Sequence, residues 1–499
     1  MSGLVNVSAL GIFIAFIVAT LVITAWASRR SGTREQYYSA GSSITGFQNG
    51  FALAGDFLSA AAFLGVAGLY YSAGLDGLVY GLGALIGWPV LLFLIADRLR
   101  RLGRFTLTDV LCARLKARPV RIFAACSNLV VLTFYLLSQM VGAGLLLNLL
   151  IGVSFEWSAV LVGGLMLVYV AFGGMVAASW VQIIKAALLF AATLLLTLLT
   201  LAHFHFDLHQ LLQTAINRHP QGIAIMAPGG LITTPGAALS LALTLILGPA
   251  GLPHVLMRFF TVPNAIEARR SACTATVLIG IFCFLMVIIG YGAIGILHGD
   301  PHYCAADGSL RGGSNMAALL LAQALGGDLF LGFIAAVAFA TILAVVSGLT
   351  LAAAATCSHD LYAVFRSRPP SDKEELAVSR MAALAFAILG IALSIIFQHE
   401  NITFLSATAM SVAASATFPV LILALFWPRL TTPGAVSGGL IGLLSALVAL
   451  VLGPSIWVAV LHHPLAIFPY QYPTLLSLPL ALVVAVVVSL LGARAPQPI

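Results

Sequence analysis

Apolar runs of about twenty residues alternate along the chain with short polar connections, and that run length crosses a bilayer as a helix. In hydrocarbon every backbone group must be satisfied within its own segment, so these runs predict helices and no open sheet. Thirteen segments qualify: 8–27, 47–70, 78–97, 121–147, 157–178, 180–202, 236–258, 272–298, 328–357, 377–398, 402–427, 432–453 and 474–493. Leu10–Thr24 with Ala25-Trp26-Ala27 behind it has the outline of a secretory leader. No Lys or Arg precedes it and the run is long for a leader, so an uncleaved first span is expected. The fold class expected is an all-α polytopic membrane protein.

Composition agrees. Of the 499 residues 61% are hydrophobic and only 8% charged, and the mean hydropathy is +1.08. Soluble domains carry about a quarter charged residues, so soluble, disordered and secreted disulfide-rich classes are excluded. The net charge of +7 raises nucleic acid as a partner until the basic residues are located. With alternating sides, 20 of the 23 fall in loops on one face, among them Arg29, Arg30, Arg34, the run Arg98–Arg121, Arg258, Arg269 and Arg270. That asymmetry is a topology signal, predicting N-out and C-in and no nucleic-acid partner. The longest connections, 203–235 and 299–327, leave no space for a second domain, so 1–499 reads as one transmembrane domain. A short external helix within 299–327 is expected, without chemistry. Six Cys form no C-x-x-C pair, so no disulfide framework, metal centre or cofactor is expected.

Few ionisable groups lie well inside the spans, away from their ends: Asp56, Lys185 and His254. Such groups are costly in hydrocarbon and mark pathways by default. Each also has a bland reading: Lys185 snorkelling to the interface, Asp56 holding structure, His254 capping broken backbone. Breaks add to the pattern. Gly248-Pro249-Ala250-Gly251-Leu252-Pro253-His254 interrupts the seventh span, and Gly50 and Gly55 precede Asp56 and Ser59 in the second. Pro removes donors and unwinds a helix, and freed backbone is tolerated in a membrane only where it lines a cavity. Gly55 alone is equally a packing glycine. The two broken spans are five apart, the relation expected of inverted repeats covering spans 2–6 and 7–11.

At this point the chain resembles the sodium:solute symporter family, and within it the bacterial acetate permeases. The resemblance runs from Tyr37 to Tyr472. It is dense at Ile44-Thr45-Gly46-Phe47-Gln48-Asn49-Gly50, at Gln139-Met140-Val141-Gly142-Ala143-Gly144 and through Gly251-Leu252-Pro253-His254 to Val262. It recurs at Ser358-His359-Asp360-Leu361-Tyr362 and at Ala466-Ile467-Phe468-Pro469-Tyr470. It implies a LeuT-like five-plus-five core, about 47–427, flanked by 8–27, 432–453 and 474–493. It also implies uptake of a small monocarboxylate, acetate first, coupled to Na+ or H+ across a bacterial inner membrane.

The chain departs from the family's pattern where sodium would bind. Ala344 and Val345 stand where relatives carry paired hydroxyls, with Ser347 nearby, and Trp180 is followed by Val181 and Gln182 where relatives place an Asp. Hard cations need oxygen ligands. Lys185 is therefore a candidate to stand in for the ion, paired with Asp56, which makes a proton a candidate coupling ion. Sodium stays open near Asp56 and Ser347, with Ser59 and backbone carbonyls. The expected cation-coupling residues are Asp56, Ser59, Gln182, Lys185, Ala344 and Ser347. For the substrate they are Ser59, Gln139, Gly248, Gly251, Pro253 and His254, although Gln139 is equally an interhelical hydrogen bond. Pyruvate, propionate and glycolate remain open as substrates. An intramembrane enzyme would need an acid, base or metal cluster, and a channel would show charged or carbonyl rings; the sequence has neither.

Overall fold

A computed structural model of the protein describes residues 10–15, 18–19, 22, 44–102, 107–172, 175–366, 368 and 371–492. The expected span 8–27 and the basic cluster Arg29–Arg34 lie largely or wholly outside the described residues. The second expected span is two helices, α1 (Gly46–Phe57) and α2 (Ala61–Ala73), bent by 60° at the break between them. There follow α3 (Leu75–Leu102), a short α4 (Leu107–Cys112), α5 (Ala117–Ile151), α6 (Phe155–Phe172), α7 (Met175–His203) and a polar α8 (Leu208–Arg218). The second half holds α9 (Pro235–Leu247), a one-turn α10 (Pro253–Met257), α11 (Ala265–Leu297), α12 (Ser314–Tyr362), α13 (Asp372–Ile396) and α14 (Ile402–Phe426). Two more, α15 (Thr432–Val451) and α16 (Thr474–Leu491), pack on each other and on α14.

Nine of the described helices are long and apolar enough to cross a membrane, the bent pair α1–α2 makes a tenth, and apolar helices within α6 and at α9 are shorter. In position these coincide with twelve of the thirteen expected segments. Large apolar side chains such as Phe93 and Phe284 are more than 60% exposed on the outside of the bundle. Water would not tolerate such a belt, but lipid does. A short helix does stand in 299–327, as the first turns of α12, set off by Gly327 at φ +68°, a backbone region that favours glycine.

The loops rich in Arg tie helix ends together. Arg98 donates to Leu425 O (3.0 Å) with its guanidinium 3.9 Å over the Phe426 ring, and Arg114 donates to Ala424 O (2.6 Å). Both satisfy carbonyls that the last turn of α14 leaves orphaned. Arg121 bridges Asp360 (3.0 Å) and Asp109 (3.2 Å), and Thr108 donates to Asp360 (3.1 Å), so α4, α5 and the end of α12 share one polar knot.

At the opposite end the segment after α8 is clamped. The buried Asp76 carboxylate accepts backbone N–H groups of Gly229, Leu231 and Ile232. Tyr71, near the end of α2, hydrogen-bonds His298 Nδ1 (3.0 Å), whose ring lies 5.5 Å from that of His219. His219 Nδ1 accepts from Gln221 N–H (3.2 Å), and Arg218 donates to Ile296 O (3.1 Å). Burial pushes both imidazoles below the ordinary range; His298 further lowers His219, and Arg218 further lowers His298. The docked arrangement therefore favours neutral rings. Its contribution is complete above the usual imidazole pKa of about 6.5 and is lost as pH falls through the lowered values. Hydrogen exchange in 66–74 and 208–234, corrected for intrinsic rates, is expected to rise on acidification below about pH 6. In a His219→Gln/His298→Gln protein that rise should vanish, and a pH response equal to wild type would refute the account.

Candidate functional site: two broken helices around a buried ion pair

The break after α1 begins beyond the glycines that suggested it. α1 stays helical through Gly50 and Gly55, because both are contact points. A Cβ on Gly50 would lie 2.4 Å from Thr274 Cβ, and one on Gly55 would lie 2.9 Å from Gln182 O. The chain turns instead at Leu58 (φ −70°, ψ 72°), where Ser59 N–H reaches back to Phe57 O (2.8 Å), the geometry of an inverse γ-turn. Ala60 N–H, freed by the break, donates to Gln139 Oε1 on α5 (3.2 Å). Gln139 Nε2 donates to Ser138 Oγ (3.0 Å), which also receives Ser406 Oγ–H (2.8 Å). Gln139 thus spends its carbonyl on the broken backbone, the interhelical reading of that residue.

The second break lies where the Gly-Pro run placed it. α9 ends at Leu247, a 3-10 turn covers Pro249–Gly251, Leu252 is extended, and α10 resumes at Pro253. Gly248 and Gly251 let this kink press on α14: a Cβ at Gly251 would sit 2.6 Å from Ala413 O, and one at Gly248 would sit 2.5 Å from Met410 Cβ.

Between the breaks sits an ion pair that sequence reading did not find. Arg258, counted there as a loop residue, is buried, because α10 lasts five residues and a 3-10 turn (Arg258–Phe260) folds the chain back. Its Nε donates to Asp56 Oδ2 (2.7 Å), its Nη2 to Asp56 Oδ1 (3.2 Å) and its Nη1 to Ser179 Oγ (2.8 Å). Gln182 Nε2 adds a bond to Asp56 Oδ1 (2.8 Å). The cation placed on Asp56 is therefore Arg258, where the sequence suggested Lys185. Lys185 is itself buried, on the stripe of α7 that carries Ser179 and Gln182 at three-residue spacing. Asn49 locks the same corner, donating to Arg258 O (3.0 Å) and Ser271 Oγ (3.1 Å) while accepting from Thr261 (3.0 Å). The signal for Arg258 was a lone cation inside the apolar run Val255-Leu256-Met257-Arg258-Phe259-Phe260, beside a chain whose deepest acid needed a partner.

Two cavities flank this pair. One is bounded by Asp56, His254, Met257 and Arg258 and, across from them, by Val345, Gly348, Leu349 and Ala352 on α12. His254 is buried with its ring 4.8 Å from that of Tyr135, and neither ring nitrogen has a hydrogen-bond partner among the described residues. Ala344 and Ser347 lie beside the α12 stripe and outside the cavity lining, and Ser347 Oγ donates to Ala344 O (2.8 Å). The other cavity opens at the first break, with Ser59, Ala61 and Ala62 on one wall and Leu245, Phe282 and Met286 on another. Pro253 and His254 are not among its lining residues; Ser59 is. The described residues contain no cluster of three or more His, Cys, Asp or Glu able to hold a metal.

This geometry, two helices interrupted opposite each other in a membrane bundle, is that of secondary transporters. The solved structure of a Na+-coupled sialic acid symporter, in a substrate-bound outward-open state, matches over 100% of both chains with a TM-score of 0.75 and 16% identity. Mhp1, a nucleobase-cation-symport-1 family transporter solved closed with bromovinylhydantoin bound, matches over 91% of this chain and 92% of its own (TM-score 0.54, 14% identity). A manganese transporter of Eremococcus coleocola matches over 92% of each chain (TM-score 0.52, 15% identity). These likenesses show a shared LeuT-like, all-helical fold. The model of the sodium:solute symporter family matches residues 37–442, most of the chain, and the protein therefore belongs to the sodium:solute symporter family.

Proposed function

We propose that this cation-coupled symporter takes up acetate or a similar short-chain monocarboxylate. The observation that carries the reading is the cavity at the first break, which is largely apolar and has no charged side chain in its lining. A polyol or an amino acid would leave many polar groups unsatisfied there. A carboxylate can be met at one end by Ser59 and by the first turn of α2, a thirteen-residue helix whose positive dipole end opens at Ala61 and Ala62. The membrane is read as a bacterial inner membrane.

Family membership favours sodium as the coupling ion. One local observation favours a proton instead. Both Asp56 oxygens already accept donors from Arg258 and Gln182, and the facing stripe of α12 (Val345, Gly348, Leu349, Ala352) bears no hydroxyl, whereas a hard cation needs several oxygens. Labelled acetate uptake into proteoliposomes, run beside empty liposomes because acetic acid leaks, separates the two. If an inward sodium gradient alone drives accumulation and Lys185→Met keeps it, the proton reading is wrong. If only a proton gradient drives it and Lys185→Met loses it, the sodium reading is wrong. No uptake above empty liposomes under either gradient refutes the monocarboxylate assignment.

A further inference from the structure

The two sides of the cavity at the first break differ chemically. Apart from Tyr80 on α3 and Cys283 on α11, its polar members lie along the seam of α1–α2, α5 and α14, and most are already committed. Thr403 Oγ1 donates to Ala61 O (2.9 Å), Ser406 Oγ to Ser138 Oγ (2.8 Å) and Tyr135 OH to Asp56 O (3.5 Å). Ser59, beside Tyr135, is the hydroxyl at the break itself. The large side chains of the facing wall are Leu245, Phe282, Met286 and Met410, from α9, α11 and α14, and α3 adds Gly81 and Ala84. Met410 lies against the second break, where a Cβ on Gly248 would touch it. The one polar atom α11 brings to this wall, Cys283 Sγ, is turned onto Gly81 O (3.6 Å). Tyr80, which also borders the cavity, pairs its hydroxyl with that of Tyr472 (3.2 Å).

A substrate held by its carboxylate at Ser59 and the start of α2 therefore presents its far end to thioether, phenyl and alkyl groups. We propose that Leu245, Phe282, Met286 and Met410 determine specificity by reading the far end of the substrate, accepting a methyl terminus and rejecting a hydroxyl, ammonium or second carboxylate there. A substituent on the carbon next to the carboxylate stays within the polar seam and is tolerated. This inference rests on the monocarboxylate reading and narrows it to acids with an unsubstituted alkyl end. The physical reason is that a terminal hydroxyl loses its water on entering and finds no partner. An apolar wall rejects such an isostere by about a hundredfold at most.

The test uses two positional isomers, lactate and 3-hydroxypropionate, which carry the same atoms and differ in where the hydroxyl sits. Butyrate is the isostere of 3-hydroxypropionate with a methyl end. Each competes against labelled acetate for uptake by the full chain in proteoliposomes. Butyrate and lactate are expected to compete well, with 3-hydroxypropionate weaker by about ten- to a hundredfold. Met286→Gln, which keeps the length of the side chain and adds hydrogen-bonding groups, should shrink that gap several-fold, and so should the milder Cys283→Ser on the same helix. Retained acetate uptake shows that each variant is folded. Equal competition by the two isomers in the wild type overturns the assignment, as does a gap unchanged in both variants while they still take up acetate. Absence of acetate uptake above empty liposomes in the wild type fails the functional reading, and this inference falls with it.

Discussion

Arg258→Met is expected to abolish uptake and to destabilise the bundle by about 3–5 kcal/mol, the cost of stranding a buried charge. Asp56 and Arg258 are almost fully buried, with side-chain exposures of 6% and 4%, and they meet at 2.7 Å with further bonds to Ser179 and Gln182. Removing the guanidinium leaves a carboxylate in an apolar interior, with Gln182 as its remaining donor in this cluster. Asp56→Asn alone should cost a similar amount, because it removes the anion that Arg258 pairs with. The double variant Asp56→Asn/Arg258→Met replaces both charges and is expected to recover most of the lost stability, since a buried pair is worth little against a neutral replacement. Thermal unfolding in detergent reads the stability, and proteoliposome uptake reads the function. If the double variant melts as early as either single variant, the two residues do not act as a pair. Uptake in the double variant at wild-type rate would show that the pair is purely structural.

A second large effect is expected at the kink of the other broken helix. Gly251→Ala places a methyl carbon 2.6 Å from Ala413 O and 2.9 Å from Ala413 C, backbone atoms of α14 that have no rotamer to change. The kink and α14 must separate, with an overpacking cost of about 1–3 kcal/mol and loss of the cavity shape next to it. Gly348→Ala is the control: nothing lies within 4 Å of its added carbon, and it sits in the middle of α12. That change should leave folding intact or improve it by up to about 1 kcal/mol, since Ala is the better helix former. Size-exclusion profile and melting temperature distinguish the two. Equal tolerance of both substitutions would refute the close approach of the kink to α14.

Much of the architecture was legible in the residues because a bilayer leaves few alternatives. Run length predicted helices at positions that the described helices occupy. The Gly-Pro run Gly248–Pro253 located the second break, since proline removes donors wherever it falls. The first break was less legible. Gly50 and Gly55 look like hinge glycines in sequence, yet they are contact glycines against Thr274 and Gln182, and the chain turns three residues beyond Gly55. A glycine allows both a turn and a close approach, and only the neighbouring helix decides between them.

The candidate site divides in the same way. Asp56, Lys185 and His254 stood out because ionisable groups are rare in apolar spans, and that scarcity is a property of the sequence alone. Which of them meet was a different matter. Arg258 lies 202 residues from Asp56 and at the last position of the expected span 236–258, so spacing offered Lys185 as the partner. The bundle brought in Arg258 because α10 ends after one turn and folds back over α1. The sequence by itself determined that the chain is a membrane bundle, where its helices lie, and which few polar residues must be accounted for, because hydrocarbon penalises each exception locally. Only the tertiary structure decided the partner of Asp56, the bend at Leu58, and the apolar wall of Leu245, Phe282, Met286 and Met410, because those depend on side chains from helices far apart in the chain reaching one place.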